Sequence, residues 1–218
     1  MDSRSDRTWK EMTPEQKKQY FLDYYLVKTI IAAVILIFGI ILVRDLLRPK
    51  REYAMRIGLY DVSLSDEEKE AFVYDVQKAL NTALPVQIDD AYSSLRNEDL
   101  MRIATLSASG RIDVIIAEEE TFAFLAGYGY FKDLEKCLDP GFCETWKDRI
   151  VIAKGLKISE SGLLDADAEG NGDPYAAGLR IRDTRLSEHT GGMKEPVLGI
   201  ILESEKTAET ETVLNALE

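Results

Sequence analysis

An uncharged apolar run of fifteen residues, from Thr29 to Val43, constrains this chain more than any other stretch of it. At about 1.5 Å per residue, a helix of that length reaches about 22 Å, whereas the hydrocarbon core of a bilayer is about 30 Å thick. If Lys28 and Arg44 extend their charged ends to the two membrane–water interfaces, residues 24–47 form a helix of roughly 36 Å, which is long enough to span the bilayer. The sequence therefore predicts a transmembrane helix with Lys28 and Arg44 as its flanks.

A buried core helix or a cleaved signal peptide would also contain an apolar run of this kind. A core helix usually keeps a polar face, and this run has none. The segment that follows, RDLLRPKREYAM, lacks the small-residue pattern of a signal cleavage site. We therefore prefer an uncleaved signal anchor, which makes the lipid bilayer the partner of this helix and the cell membrane the predicted location.

The anchor divides the chain into four predicted parts. Thr13 supplies a capping hydroxyl and Pro14 occupies the first helical position, so a helix is expected to begin there. The parts are a disordered polar tail (1–12), a helix that includes the anchor at about 24–47 (13–47), a basic linker (48–52) and one acidic domain (53–218).

Charge is distributed unevenly along the chain, whose formal net charge is −12. Residues 1–56 hold 11 Lys plus Arg and 7 Asp plus Glu, a net charge of +4. Residues 57–218 hold 16 Lys plus Arg and 32 Asp plus Glu, a net charge of −16. A domain this acidic repels phosphate backbones, so we predict no nucleic-acid partner. Within about 20 residues, the anchor has four Lys or Arg on its N-terminal side and five on the other, so charge alone leaves its orientation open.

Strands and helices alternate after the linker. The apolar patterns, with a capping box of Ser65 and Glu68, predict strand 53–60, a helix from residue 65, strand 86–89, helix 97–107 and strand 112–117. The residues expected to be buried on the two helices are Phe72, Val76 and Leu80, then Leu100, Met101 and Ala104. Three βα units in a row indicate an α/β fold with a parallel sheet.

Three short runs in this region resemble a known protein family. Residues 113–117 (DVIIA), 120–122 (ETF) and 129–134 (GYFKDL) follow one another as in the first lobe of the extracellular solute-binding proteins of ABC transporters, particularly those of Gram-positive bacteria. Residues 174–179 (PYAAGL) resemble that family's strand returning toward the cleft. Residues 197–202 and the terminal helix resemble its last strand and helix.

The resemblance implies a fold and a location. It implies one three-layer α/β lobe with a mainly parallel sheet, facing outside the cytoplasm behind a cytoplasmic N-terminus. In that family a second lobe follows the returning strand, but here only residues 182–194 separate Ile181 from the last strand. The chain is therefore expected to be a one-lobe relative without the two-lobed clamp, with the helix in place of the family's usual lipid anchor.

Polar residues at the carboxyl ends of the predicted strands form the candidate ligand site. In an open parallel sheet, ligands bind outside these ends. These ends carry Asp61 and Ser63, Asp89 and Asp90, the three acids at 118–120, and Arg180. The candidate residues are Asp61, Ser63, Asp90, Glu118, Thr121 and Arg180. The alternative is structural, because acids just before helices usually cap the helix or interact with its dipole. If the residues do form a site, their charge favours a cation or an amine.

The two cysteines, Cys137 and Cys143, are six residues apart around a Pro-Gly turn. Such a turn can bring near neighbours within disulfide reach, and an even count fits an oxidising compartment. Two free or buried thiols are the alternative. The spacing is not that of a zinc or redox motif, so no metal site is predicted.

Three further groups of residues are interpreted as structural. His189, the single histidine, lacks the partners of a catalytic triad and is interpreted as a loop residue. The oxygen-rich residues 165–173 are interpreted as a solvated hairpin tip between strands 155–159 and 175–181, because position 176 holds Ala where a calcium loop needs Glu. Four aromatic residues are assigned to packing rather than to an apolar binding wall: Tyr92, Tyr128, Tyr130 and Trp146.

The sequence favours a binding protein over an enzyme. It has no recognisable nucleophile motif, metal cluster or phosphate loop, so we predict neither catalytic activity nor a cofactor. We expect a membrane-anchored extracytoplasmic binding or interaction module, accessory to an ABC transporter, that recognises a neighbouring membrane protein or a small ligand. The alternative is a membrane-anchored adaptor or sensor domain that faces the cytoplasm.

Overall fold

The computed structural model describes residues 13–47, 52–93, 97–157 and 168–218, and the chain divides into two units, Met1–Arg51 and Glu52–Glu218. In the first unit, helix α1 covers Pro14–Leu47, with Pro at the position where a missing N–H costs nothing. The predicted disordered tail (1–12) and the linker residues 48–51 lie outside the described residues.

The predicted transmembrane helix requires a correction. Across the residues that the structure describes, no helix is both long enough and apolar enough to cross a membrane, so this part of the predicted fold is wrong. The uncharged run alone reaches only about 22 Å, and the prediction attained the bilayer thickness by adding the flanking residues at both ends. Lys28 and Arg44, the predicted flanks, are exposed residues within α1.

The second unit is built on a six-stranded mixed sheet. Its strands are β1 (Met55–Tyr60), β2 (Val86–Tyr92), β3 (Val114–Glu118), β4 (Ile150–Lys154), β5 (Pro174–Arg180) and β6 (Pro196–Ile200). They lie in the order β2-β1-β3-β6-β5-β4. The last strand of the chain therefore lies between β3 and β5, near the middle of the sheet.

The prediction of a mainly parallel sheet is wrong. β1 is parallel to β2 and β3, as the three βα units indicated, but the pairs β3·β6, β5·β6 and β4·β5 are antiparallel. A parallel connection normally needs a helical crossover, whereas β5 and β6 are joined through one 3-10 turn, Arg185–His189. The predicted strand 155–159 is also misplaced, because β4 ends at Lys154 and residues 158–159 lie outside the described residues.

Helices cover both faces of the sheet, which gives three layers. They are α2 (Asp66–Ala79), α3 (Asn97–Ala108), α4 (Glu119–Gly127), α5 (Leu134–Cys137), α6 (Pro140–Trp146) and α7 (Thr207–Ala216). Alternate residues of β3 enter two different buried clusters: Val114 and Ile116 pack with α2, α5, α6 and α7, whereas Ile115 and Ala117 pack with α3 and α4. This alternation is expected of a central strand covered on both faces.

The local predictions for the first two domain helices have different outcomes. The Ser65 side chain accepts from the Glu68 N–H and the Glu68 carboxylate accepts from the Ser65 N–H, so the predicted capping box of α2 is present. On α3 the predicted buried face is correct only for Leu100, which packs partly buried against the core, whereas Met101 is 75% exposed and Ile103 is the fully buried residue. Ala104 is exposed as well.

Two glycines let α4 lie close against the sheet. A Cβ atom at Gly178 on β5 would be 2.5 Å from Phe122 Cζ, and one at Gly199 on β6 would be 2.6 Å from Phe122 Cε2. Phe122 also stacks on Phe131, with 4.4 Å between the ring centroids. Without these two bare positions, the helix that carries Thr121 could not approach the strands this closely.

Candidate functional site

The first part of the predicted site is formed where β1 ends. Asp61 follows β1 with a φ of 56°, in the left-handed region that Asp adopts more readily than most residues. Its N–H donates to the carbonyl of Tyr92 at 2.9 Å, which joins the ends of β1 and β2. Thr121 Oγ1 on α4 donates to Asp61 Oδ2 at 3.4 Å. The fold thus brings together Asp61 and Thr121, which are sixty residues apart in the chain and were both predicted to lie at the carboxyl ends of the strands.

Asp90 on β2 is bound within the chain. Its Oδ2 accepts from the Leu64 N–H at 2.7 Å, and its Oδ1 accepts from Lys69 Nζ at 2.8 Å. Burial raises the pKa of Asp90, but the hydrogen bonds from Lys69 and Leu64 outweigh it, so the pKa lies below its ordinary value. Asp90 therefore ties the segment after β1 to the start of α2, and Ser63 is exposed in that segment.

Glu118, at the end of β3, binds backbone. Its two carboxylate oxygens accept from the N–H groups of Lys194 at 2.6 Å and Glu195 at 3.0 Å. The backbone N–H of Glu119 donates to the Glu195 carbonyl at 3.1 Å. These bonds fasten the segment before β6 to the junction of β3 and α4, which is a structural role.

Arg180, the last residue of β5, forms a two-pronged ion pair with Glu119. Its Nη2 lies 2.6 Å from Glu119 Oε1, and its Nε lies 3.0 Å from Oε2. The hydrogen bond from Arg180 lowers the pKa of Glu119 and raises that of Arg180. Glu119 belongs to the acids predicted at this strand end, although it was not among the six candidate residues.

The carboxyl edge, where β1, β2, β3 and β5 end, is an internally bonded polar network. The hydrogen bonds from Lys69 and Arg180 lower the pKa of Asp90 and of Glu119 below their ordinary values. Among the predicted site residues, Asp61 and Thr121 contact each other, whereas Asp90, Glu118 and Arg180 bond to residues outside the predicted set.

The other side chains singled out in the sequence lie elsewhere. Tyr92 is buried and stacks on Tyr60, while Trp146 is buried in the other cluster and stacks on Phe142. The four aromatic residues considered as an apolar wall are therefore not assembled into one. His189 is likewise placed in the fold, with Nε2 3.0 Å from Asp75 Oδ2.

Cys137 and Cys143 are free thiols, the first at the end of α5 and the second in the middle of α6. Cys143 Sγ donates to the Leu134 carbonyl at 3.7 Å. Burial raises the pKa of both thiols, so each is mainly protonated at neutral pH. The disulfide between them stays a prediction.

Metal binding has no candidate within residues 13–47, 52–93, 97–157 and 168–218, where no group of three or more His, Cys, Asp or Glu is arranged to hold an ion. Part of the oxygen-rich loop, including Asp165 and Asp167, lies outside the described residues. Its described end, from Glu169 to Asp173, leads into β5.

A second surface, which we call the aromatic surface, consists of Phe124, Tyr128 and Tyr130. Phe124 is 48% exposed and meets Tyr128 edge to face, with 5.2 Å between centroids. Tyr128 stacks on Tyr130 at 6.0 Å, and Tyr130 Oη donates to the Leu100 carbonyl of α3 at 3.2 Å. This surface lies at the end of α4, away from the carboxyl edge where that helix begins.

Sequence reasoning missed Phe124, although a signal was present. On α4, Phe122, Leu125 and Ala126 have the spacing of one buried helical face. Phe124 lies off that stripe, so the helical period alone predicts its exposure. For the ion-pair partners of Glu119 and Lys69 the sequence holds no comparable signal, because those partners depend on which strands become neighbours.

Comparison of the chain with protein-family models, with curated proteins and with solved structures found no match in any of the three. The resemblance to solute-binding proteins therefore stays a prediction. Its three motif runs lie on β3, on α4 and on the segment that leads from α4 into α5.

Proposed function

We propose that residues 52–218 form a non-catalytic interaction module that binds a protein partner. The observation that carries the proposal is the aromatic surface, where Phe124 exposes nearly half of its side chain beside two further rings. Aromatic residues are enriched at the centres of protein interfaces, where they contribute large contact areas at low entropic cost. A protein partner therefore fits this surface better than a small polar ligand does.

The chemistry of the carboxyl edge supports a binding role rather than catalysis. Its acids are engaged with Arg180, Lys69 and backbone N–H groups. Such a network stabilises the strand ends and positions α4, and the exposed Asp61 and Ser63 add negative charge and a hydroxyl to the rim. A cation or amine at this edge would be held weakly, because the edge faces solvent on an open sheet.

The proposal is tested by photo-cross-linking from the aromatic surface in cells. A photoreactive phenylalanine analogue replaces Phe124 in one variant and Tyr74 in a control variant, since Tyr74 is 63% exposed on α2. We expect one covalent adduct of defined mass from position 124 that position 74 does not form. The same adducts from both positions, or none from either, would contradict the proposal.

The extracytoplasmic location belongs to the same proposal, and the resemblance to solute-binding lobes is its support. An epitope tag after Glu218 should be accessible to antibody without permeabilisation, either on intact protoplasts or in the medium around them. Access only after permeabilisation would contradict this location and favour a cytoplasmic adaptor.

A further inference from the structure

We infer that the partner of the aromatic surface presents a segment in which arginine or lysine alternates with apolar residues, and that Glu169 binds its cationic side chain. This inference rests on the proposed function, because it names the chemistry of the partner for the same surface. It adds a charged residue that the aromatic surface does not itself contain.

The fold places Glu169 beside the three rings. The N–H of Gly170 donates to the carbonyl of Gly127 at 3.1 Å, which ties the turn that carries Glu169 to the last residue of α4. Glu169 is exposed, and a Cβ atom added at Gly127 would lie 4.0 Å from the Glu169 carbonyl carbon, which places this residue against the end of α4. Burial raises the pKa of Tyr128 and of Tyr130, and the charge of Glu169 raises both further.

Aromatic faces and a carboxylate together form a recognisable site for a cation. The face of an aromatic ring is electron-rich and attracts a guanidinium or ammonium group within about 6 Å of its centroid. Arginine can stack on a tyrosine face while its N–H groups reach a carboxylate, so one side chain satisfies both parts of the site. Phe124, at the exposed end of the cluster, offers contact to an apolar neighbour of that cation.

The charge of the domain points to the same partner. Residues 52–218 contain 17 Lys plus Arg and 33 Asp plus Glu, a net charge of −16. A second copy of this domain would carry the same charge to the interface and would be repelled, whereas a basic segment would be steered toward it. The aromatic surface is therefore better suited to a basic partner than to self-association.

The test uses two fluorescent peptide probes of equal length with the full-length chain. One probe alternates leucine and arginine, and the other alternates leucine and glutamate. Binding is measured by fluorescence anisotropy at two salt concentrations. We expect the arginine probe to bind at least about tenfold more tightly than the glutamate probe, with the preference decreasing at high salt.

Two variants locate the binding on the aromatic surface. Glu169→Gln should lower the affinity for the arginine probe about five- to tenfold by removing the negative charge. Phe124→Ala should lower the same affinity about tenfold by removing the apolar contact. Their matched controls are Glu144→Gln on α6 and Tyr74→Ala on α2, two exposed residues away from this surface. Both controls should leave the affinity unchanged.

The possible results separate this inference from the proposed function. Equal binding of the two probes, together with a specific cross-link from position 124, would overturn the basic-partner inference while leaving the interaction function standing. Arginine-probe binding that is equally weakened by Glu144→Gln and Glu169→Gln would overturn it by showing attraction to the whole acidic domain. A dimer in sedimentation velocity that Phe124→Ala dissociates would overturn it in favour of a second copy.

Discussion

The imidazole Nε2 of His189 lies 3.0 Å from Oδ2 of Asp75, although 114 residues separate the two in the chain. The imidazole ring stacks on Phe72, with 4.9 Å between centroids and 6° between planes. Asp75 and Phe72 both belong to α2, and His189 ends the 3-10 turn between β5 and β6. The pair therefore fastens that connection to a helix on one face of the sheet.

Removing this contact should destabilise the domain. His189→Ala loses both the ring stacking and the hydrogen bond to Asp75, so we expect the free energy of unfolding to fall by about 1–3 kcal/mol. Urea denaturation of His189→Ala, Asp75→Ala and the double variant gives the coupling energy, which should be at least about 0.5 kcal/mol for residues in direct contact. Glu188→Ala, at the exposed neighbouring position, is the control and should change stability by less than about 0.5 kcal/mol. Additive single effects would mean that the contact does not form in solution.

The ion pair between Glu119 and Arg180 should make stability depend on pH. Because the pair holds the pKa of Glu119 below its ordinary value of 4.5, it stabilises the folded state above about pH 4.5. That contribution is lost as the pH falls through the lowered pKa. The two side chains are 40% and 38% exposed, so screening limits the contribution to less than about 1 kcal/mol.

Glu119→Gln should accordingly lower the free energy of unfolding at pH 7 and have a smaller effect at pH 3. Urea titrations at both pH values measure the difference. Glu120→Gln, an exposed neighbour, controls for the loss of one negative charge from this end of α4. An effect of Glu119→Gln that is as large at pH 3 as at pH 7 would contradict the role of the ion pair.

Gly178→Ala should destabilise the domain through overpacking. The added Cβ would lie 2.5 Å from Phe122 Cζ and 2.8 Å from the Leu198 carbonyl oxygen, which belongs to the backbone of β6 and cannot move aside cheaply. We expect a loss of about 1–3 kcal/mol, measured as a lower melting temperature by circular dichroism. Gly39→Ala, whose added Cβ meets nothing within 4 Å, should leave the domain transition unchanged. Equal melting temperatures for Gly178→Ala and the parent chain would show that α4 does not lie this close to the sheet.

The two thiols should react slowly with alkylating reagents. Since burial raises the pKa of Cys137 and Cys143, little thiolate is present at neutral pH, and the rate of iodoacetamide labelling should rise as the pH is increased. Mass spectrometry of the folded protein at pH 7 and pH 9, with a urea-unfolded control, measures this. Labelling that requires prior reduction would instead establish the predicted disulfide and contradict the free-thiol arrangement.

Features that depend on neighbouring residues could be predicted from the sequence. The capping box of Ser65 and Glu68 acts over three residues, and β1, β2 and β3 follow from apolar periods within single segments. The antiparallel half of the sheet could not be predicted in this way, because strand direction depends on which distant segment becomes the neighbour. The membrane-spanning interpretation of α1 failed for a different reason, since it depended on adding charged flanks to a run that is short by itself.

For the candidate site, the sequence indicated the edge but not the contacts. Asp61 and Thr121 follow strands that end at the same edge, so their proximity could be anticipated. The partner of Arg180 could not, because Glu119 and Glu118 are equivalent in the sequence and only the register of β5 and β6 decides between them. The exposure of Phe124 was missed although helix periodicity indicates it, whereas the grouping of Phe124 with Tyr130 depends on the turn after α4 and has no signal in the sequence.

The position of β6 has a consequence for synthesis on the ribosome. As the chain emerges, β1 to β3 and then β4 with β5 can form two partial sheets, each leaving an open apolar edge, at β3 and at β5. Only when residues 196–200 have left the exit tunnel does β6 pair with both edges. Until then the nascent chain exposes two unpaired edge strands that can pair with a wrong strand. We therefore expect chaperones to bind the chain, and proteases to cleave it, mainly before β6 has been synthesised.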